Sequence, residues 1–344
     1  MARFILSKTR LMDQYYQVES LGKVSYSFKT NPKVGQILEE ATNCDFSVHF
    51  INELKLINDK KRVWFLAQAL NHAQLSELFS MGVYRFVVEN KQDLELLLES
   101  IKRHKRKIEL LLRMRLRENT VKTEKYYVFG FPSAEVNEWI PELRGNEFIS
   151  KLGIHVHRKT QNVSEWGLVG ELSELVTEEN WKYIDYLDIG GGIPALYKNI
   201  SDKVIPTVIQ QIRDLGAFLA SKDVLLLIEP GRFISAPCIK LETLVVSVHE
   251  NTIVVDASVY NASPDTLIVP IKLLVEGEVD EKEGKPFVIK GITPCSTDLF
   301  RYRVYLKQAP ALGDKMIFLN AGAYNFHTEF CELDKVETVI EEEK

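Results

Sequence analysis

Residues 23–41 read KVSYSFKTNPKVGQILEEA. The first part, Lys23–Phe28, has the apolar and hydroxyl content of a short strand, and it stops at a lysine. Asn31-Pro32 then punctuates the chain. Behind it, the apolar positions of KVGQILEEA recur at helical spacing, with a proline suited to the first helical turn. Strand, turn and helix in immediate succession form the unit from which parallel sheets are built.

The unit recurs along the chain. Strand-like runs begin at Val24 (VSYSFK), Asp45 (DFSVH), Val63 (VWFLAQ), Arg85 (RFVVEN), Ile108 (IELLLRM), Lys151 (KLGIHVH), Tyr186 (YLDIGGG) and Leu225 (LLLIEPG), eight in all. Amphipathic segments such as NHAQLSELFSMG, NKQDLELLLESIKR and VIPTVIQQIRDLGAFLA separate most of them. Asn71 stands where a helix start is expected, and Gly82 follows a helix end. Eight alternating units predict a closed (β/α)8 barrel of the TIM type, with domain bounds at residues 8–235. An open doubly wound sheet is the alternative, weakened because no GxGxxG opens the first helix.

After about residue 236 the texture changes. IKLETLVVSV, NTIVVDASV, KPFVIKG and DKMIFLNAGAY read as strands between turn residues, so a C-terminal antiparallel β-sandwich or β-barrel domain is expected over residues 236–340. RFILSK, near the N-terminus, also has strand character, which assigns residues 1–7 to the same domain.

Composition sets outer limits. Of the 344 residues, 45% are hydrophobic and 26% charged, the balance of a soluble globular protein. A net charge of −5 gives no electrostatic footprint for nucleic acid, and KRHKRK at Lys102–Lys107 reads as a solvated helix end. MARFILSKTR has too short an apolar run for a signal peptide, and no run has membrane-spanning length. The cysteines Cys44, Cys238, Cys295 and Cys331 are scattered without a CxxC, so reduced thiols in a cytoplasm are expected and no zinc site.

In such a barrel the active site lies at the carboxyl ends of the strands. Here those ends carry Lys29, His49, His155 and His157, then Gly190-Gly191-Gly192, then Glu229-Pro-Gly-Arg232. Three consecutive glycines leave backbone amides open to an anion, and the loops after strands seven and eight are the usual phosphate site of barrels. A rim lysine is ordinarily a surface charge or an ion-pair partner. In a desolvated pocket it can instead form a Schiff base. Lysine, glycine cradle and carboxylate together point to pyridoxal 5'-phosphate, which needs an amine, a phosphate site and a partner for its ring nitrogen. The HxH of His155 and His157 has a rival reading as a metal site, but no convincing set of further ligands follows, so no metal is expected.

These residues, in this order, resemble the fold-type III pyridoxal phosphate decarboxylases, the group of ornithine, diaminopimelate and carboxynorspermidine decarboxylases with an alanine-racemase-like barrel. SYSFKTNP is similar to the family's YAVKANP, which implies that Lys29 is the Schiff-base lysine. CDFSVHFINEL resembles FDVASxxEL, placing Asp45 near the cofactor. LLRMR resembles LRIN, making Arg113 a phosphate-side or supporting residue. SKLGIHVHRKTQ resembles SKFGLHxHxGSQ, putting His157 on the ring face and Thr160 at the family's serine. LDIGGGIP and IEPGRFISA carry over Gly190, Gly191, Gly192, Glu229, Gly231 and Arg232 as cofactor-binding residues. NAGAY adds Tyr324 as a phosphate contact.

The resemblance implies an amino-acid decarboxylase acting on a diamino acid or carboxypolyamine, within polyamine or amino-acid metabolism. It also implies a homodimer with shared active sites. Glutamate beside the ring nitrogen, where related racemases carry arginine, favours decarboxylation; a racemase, or a catalytically silent cofactor-binding regulator, are the alternatives. In the family a cysteine of the partner subunit, within GPxCxxxD, donates the final proton. Here the segment is GITPCSTDLF, and anchoring it on Gly291 and Asp298 puts Pro294 at the family's cysteine, with Cys295 one place later. Cys295 is expected to serve as donor through a local shift, with Ser296 and Asp298 on the substrate side. The family's substrate grips are missing from LIVPIKLLVE, whereas DASVYNASPDTLIVP resembles the carboxynorspermidine enzymes' DxSA…MPDxLxxP.

Overall fold

A computed structural model of the protein describes residues 1–116 and 129–341. After β1 (Arg3–Leu6) and α1 (Lys8–Glu19) the repeats begin: β2 (Lys23–Ser27), α2 (Pro32–Ala41), β3 (Asp45–Val48), α3 (Ile51–Leu54), β4 (Val63–Leu66), α4 (His72–Ser80), β5 (Arg85–Val88) and α5 (Lys91–His104). They continue with β6 (Ile108–Arg113), α6 (Ser133–Arg144), β7 (Ile149–His155), α7 (Leu168–Leu175), β8 (Tyr186–Asp188), α8 (Val204–Ala220) and β9 (Leu225–Ile228). β2 to β9 form a closed barrel in which each strand pairs in parallel with the next. Closure comes from β2 against β9, through Lys23–Leu227 and Val24–Ile228.

Local chemistry sets the element ends. Asn31, in extended backbone, accepts from Lys33 N and Val34 N at 3.1 and 3.3 Å, and Pro32 opens α2 behind it. Asn71 and Gln74 form a reciprocal capping box at the start of α4. Inside the barrel Trp64, Val87, Leu111 and Leu227 form a buried cluster against which Leu66 and Tyr186 pack. The amino ends of the strands are tied by charge. Asp45 pairs with Lys23 at 2.6 Å and with Arg85 at 3.0 Å, and Arg85 also reaches Glu109 at 3.0 Å.

The second sheet runs in the order β12 (Leu274–Val275), β15 (Lys315–Leu319), β10 (Ile239–His249), β11 (Thr252–Val255), β13 (Lys285–Lys290) and β14 (Leu299–Leu306). β1 pairs antiparallel with β10, and β16 (Thr338–Ile340) lies parallel to β1. The sheet is therefore mixed rather than purely antiparallel. β11 and β13 also run parallel, because the chain between them makes a long crossover holding α10 (Val259–Ala262), α11 (Asp265–Ile268) and β12. One further short helix, α9 (Arg232–Ser235), follows β9.

The compact units are Gln17–Pro194 with Val204–Gly231, and Met1–Tyr16 with Ala195–Lys203 and Arg232–Lys344. The excursion Ala195–Lys203 departs from the sequence-predicted boundaries for a physical reason. Lys198 N donates to Lys272 O at 2.8 Å, Asn320 Nδ2 donates to Leu196 O at 2.7 Å, and Lys198 pairs with Glu278 at 3.4 Å. Among the described residues no helix is long and apolar enough to cross a membrane.

Gly153 of β7 faces the barrel wall so closely that a Cβ there would lie 2.3 Å from Tyr186 O and 2.7 Å from Leu111 Cδ2. Gly153→Ala is expected to lose about 1–3 kcal/mol through overpacking, measured by urea unfolding. Gly170→Ala, with nothing within 4 Å of the added carbon, serves as the neutral or stabilising comparison. Equal midpoints for the two variants would contradict this account.

Candidate active site

β2 runs into a single 3-10 turn, Phe28–Thr30, which lifts Lys29 onto the carboxyl rim while Phe28 and Thr30 stay buried. The turn is held against the end of β9, where Ser27 N donates to Pro230 O at 3.3 Å. Gly231 is required there, since a Cβ would lie 2.1 Å from Thr30 Oγ1. Lys29 Nζ sits 3.1 Å from His49 Nε2, at the end of β3. The His49 backbone is fixed in turn by Glu53, whose Oε2 accepts from His49 N and Phe50 N at 2.8 and 2.9 Å.

Behind this pair lies a buried polar group. Ser47 Oγ donates to Glu229 Oε1 at 2.5 Å, Ser25 Oγ lies 2.7 Å from Ser47 Oγ, and His155 Nε2 stands 3.5 Å from Glu229 Oε2. His155, Asp188 and Glu229 bring three ligand-type atoms within 4.8 Å of one another. Two carboxylates this close in a dry site do not both ionise. Burial and the neighbouring Glu229 charge push Asp188 well above the usual carboxylate range, against the pull of the Gly190 amide. Burial acts the same way on Glu229, yet His155, Ser47 and His49 outweigh it and hold that carboxyl down at about 2. Glu229 is the ionised member of the pair.

The glycine turn completes the rim. Gly190 and Gly192 adopt φ of +62° and +105°. A Cβ on Gly190 would lie 2.6 Å from His157 Nδ1, and one on Gly192 would lie 2.9 Å from Lys159 O. Asp188 Oδ1 accepts from Gly190 N at 2.8 Å, and Gly191 N donates to His157 Nδ1 at 3.3 Å. The His157 ring lies nearly parallel to His155, at 16° and 6.5 Å between centroids. Thr160 lies in the loop after β7, and in the same loop Asn162 N donates to Gly192 O at 3.0 Å. Arg113 pairs with Glu89 at 2.7 Å and lies over the Phe129 ring, the arrangement of a supporting residue.

Two expectations need correction, and one residue was missed. Asp45 is not at the rim. It opens β3 at the amino end, held by Lys23 and Arg85. When the EL of the family's FDVASxxEL is set on Glu53-Leu54, its aspartate falls on Ser47 and its alanine on His49. Asp45 and Ser47 share a strand face, two positions apart, and the sequence match sets the family's aspartate on the wrong one. His49 stood among the strand-end residues, but only its contact with Lys29 makes it part of the site.

These residues fit pyridoxal phosphate. Lys29 offers an amine, the glycines leave amides and space that a Cβ would fill, and Glu229 offers a buried anion for a ring nitrogen. Thr30 Oγ1, Asp188 Oδ2 and Nδ1 of His155 are buried polar atoms without hydrogen-bond partners, as a ligand-dependent site would have.

The other expected residues lie in the second unit. Arg232 is buried in a bidentate pair with Asp265, with Nη2 3.1 Å from Oδ1; Tyr197 Oη accepts from it at 3.1 Å, and it lies over the Tyr324 ring at 5.0 Å. Cys295 Sγ lies 3.4 Å from Tyr260 Oη and 3.1 Å from Thr297 Oγ1. Hydrogen bonds from Thr297 and Tyr260 lower the Cys295 thiol to about 7. Ser296 beside it is exposed. Asp298 is a second correction. It is fully buried and its carboxylate accepts from Val259 N, Thr293 N and Thr293 Oγ1 at 2.9, 3.0 and 2.7 Å, so it ties its loop to α10.

Burial, joined by Arg113 and His155, lowers His157 from 6.5 to about 3. Such an imidazole binds its proton only in the unfolded chain, so its contribution to stability falls as pH drops from 6.5 towards about 3. The raised Asp188 acts in the opposite sense, which makes a difference measurement necessary. Relative to the wild type, His157→Asn is expected to gain stability as pH falls through that window. Urea midpoints of both proteins near pH 7 and pH 4.5 check this, and a pH-independent difference would refute it.

Comparison with known proteins agrees with this geometry. Residues 4–236 match the family model described as pyridoxal-dependent decarboxylase, pyridoxal binding domain. Among solved structures, lysine/ornithine decarboxylase complexed with putrescine from Vibrio vulnificus is similar at 22% identity and TM-score 0.80, over 99% of this chain and 94% of that one. Diaminopimelate decarboxylase from Helicobacter pylori complexed with L-lysine gives 18% identity and TM-score 0.83, over 100% and 92%. Lysine decarboxylase from Selenomonas ruminantium gives 18% and 0.79, over 99% and 92%. A search of curated protein sequences finds no match. Barrel, glycine turn, rim lysine and family match agree, and the chain belongs to the pyridoxal-dependent decarboxylases, enzymes that use pyridoxal phosphate as cofactor.

Proposed function

We propose that this decarboxylase removes the α-carboxylate of an amino acid carrying a second amine, a diamino acid or a carboxypolyamine, with Lys29 as the cofactor-bearing residue. The convergence of Lys29, His157 and Glu229 at one rim beside the glycine turn carries this reading. Similar structures in complex with putrescine, cadaverine and L-lysine support a substrate of this class. The carboxynorspermidine-like DASVYNASPDTLIVP supports the polyamine branch.

When bound, pyridoxal phosphate supplies an electron sink for the bond to carbon dioxide. The chain supplies orientation and charge. Glu229, ionised and fixed by Ser47 and His155, is suited to hold a proton on a ring nitrogen, and this favours decarboxylation over racemisation. His157, kept neutral by its surroundings, offers a flat uncharged face. The amides of Gly190 to Gly192, with Thr160, are the proposed phosphate contacts of the barrel unit; for Arg232 and Tyr324 the same role is proposed from the family pattern alone.

Cys295 is the proposed proton donor, and its thiol, lowered to about 7, is matched to work near neutral pH. Ser296 beside it is the proposed substrate contact. We assign the donor role in trans within a homodimer, as the family pattern implies. The unpaired cysteines support a reducing, cytoplasmic setting.

Carbon dioxide release across diamino acids, carboxypolyamines, arginine and neutral amino acids tests the substrate class. Release confined to neutral amino acids would overturn it. Lys29→Ala is expected to abolish release and the visible absorption of bound cofactor; retained absorption would remove Lys29 from its role. Cys295→Ala should slow turnover by about 100-fold or more, the usual weight of a general acid, and alter the products of protonation.

A further inference from the structure

The contact between Lys29 Nζ and His49 Nε2, at 3.1 Å, has no counterpart in the family segment, which carries alanine at the position of His49. We propose that His49 is the acid–base partner of Lys29: Nε2 takes a proton from Nζ as the amine adds to an aldehyde carbon, and returns it when Lys29 is released. This rests on the reading of Lys29 as the cofactor lysine.

Geometry supports the assignment first. Glu53 Oε2 accepts from the backbone of both His49 and Phe50, which fixes the backbone of the turn that carries the ring into α3. The other ring nitrogen, Nδ1, is buried without a hydrogen-bond partner, so Nε2 is the nitrogen that faces chemistry. The charged and titratable groups around the ring are Lys29, Arg113, His155 and Glu229, with Glu53 below it.

Their electrostatics make the transfer reversible. Burial, then Lys29, lowers His49 to about 4, opposed by Glu229 and assisted by His155 and Arg113, so near neutral pH the ring is uncharged and has a lone pair to offer. The Lys29 charge is itself one of the causes that suppress its protonation. As the amine gives up its charge that suppression disappears, and the ring becomes a better base at the moment it is needed. In the balance, an Nζ–H bond of the ammonium breaks and an Nε2–H bond forms, and the freed pair on Nζ makes the bond to carbon as the carbonyl π pair moves onto oxygen. That oxygen takes one proton from the added nitrogen and one from Nε2 and leaves as water, so one positive charge is present at the start and at the end, and release by water runs the same steps backwards.

The test follows covalent capture rather than turnover. Cofactor-free full-length protein is mixed with pyridoxal 5'-phosphate, quenched with borohydride at timed intervals, and the Lys29 peptide is quantified by mass spectrometry across a pH series. His49→Ala should be captured at least about 100-fold more slowly than wild type near pH 7, the usual weight of general acid–base catalysis. The gap should narrow at alkaline pH, where an amine already free of its proton needs no base to add. Added imidazole should restore part of the rate to His49→Ala, and this also shows that the variant is folded. His49→Gln, which keeps a hydrogen bond but not a basic nitrogen, should behave like His49→Ala. A gap of equal size at every pH, no gap, or a fast His49→Gln would overturn the inference and leave Lys29 in its role. No capture at Lys29 in the wild type would overturn both.

Discussion

Lys23 and Val24 of β2 lie beside Leu227 and Ile228 of β9, and this parallel pairing closes the barrel. All eight strands then end on one rim, so residues remote in sequence share a few ångströms of space. Ser47 and Glu229, 182 positions apart, meet at 2.5 Å only because the ring is closed. A hydrogen bond to a buried charge is worth about 1.5–3 kcal/mol, so the contact both depends on closure and rewards it. The amino ends of the strands carry their own constraint, the chain of ion pairs Lys23–Asp45–Arg85–Glu109. One rim is thus tied by salt bridges, while the other is left with partnerless polar atoms available to a ligand.

Charge at that rim is divided by burial. Glu229 is ionised because Ser47 and His155 offset its desolvation, whereas Asp188, with one amide partner and a charge beside it, keeps its proton. His49 and His157 stay neutral for the same desolvation reason, reinforced by Lys29 and Arg113. Glu229, Lys29, His49 and His157 therefore present one anion, one amine and two uncharged rings at the rim. That pattern is complementary to a phosphorylated aldehyde with a basic ring nitrogen, and burial rather than residue type sets it.

Much of this was legible in the sequence. The eight strand–helix units were readable because apolar periodicity switches between the two spacings, and Asn31-Pro32 marks its boundary by a mechanism that the capping bonds bear out. Lys29, Glu229 and the glycines were readable because strand ends and φ > 0 positions leave local marks. Asp45 was misplaced because the aspartate of the segment was matched to the family's aspartate, whereas setting the motif on Glu53-Leu54 puts that position on Ser47. Asp298 was misread because a carboxylate that binds Thr293 of its own loop and Val259 of α10 looks, in sequence, like one waiting for a substrate. Ser47 carries no sequence mark at all, since a serine within a strand becomes informative only when its partner is known.

By itself the sequence determined the barrel, the identity of the cofactor and the place of Lys29, Glu229 and the glycines at strand ends. These follow from short-range rules: alternation, capping, glycine conformation and the chemistry of single residues. The tertiary structure alone decided which polar groups touch. It paired Lys29 with His49, Ser47 with Glu229 and Arg232 with Asp265, and turned Asp45 away to the opposite end. Those pairings depend on strand register and closure, which are cooperative properties of the whole ring. The protonation states that the chemistry needs depend on the burial that closure creates.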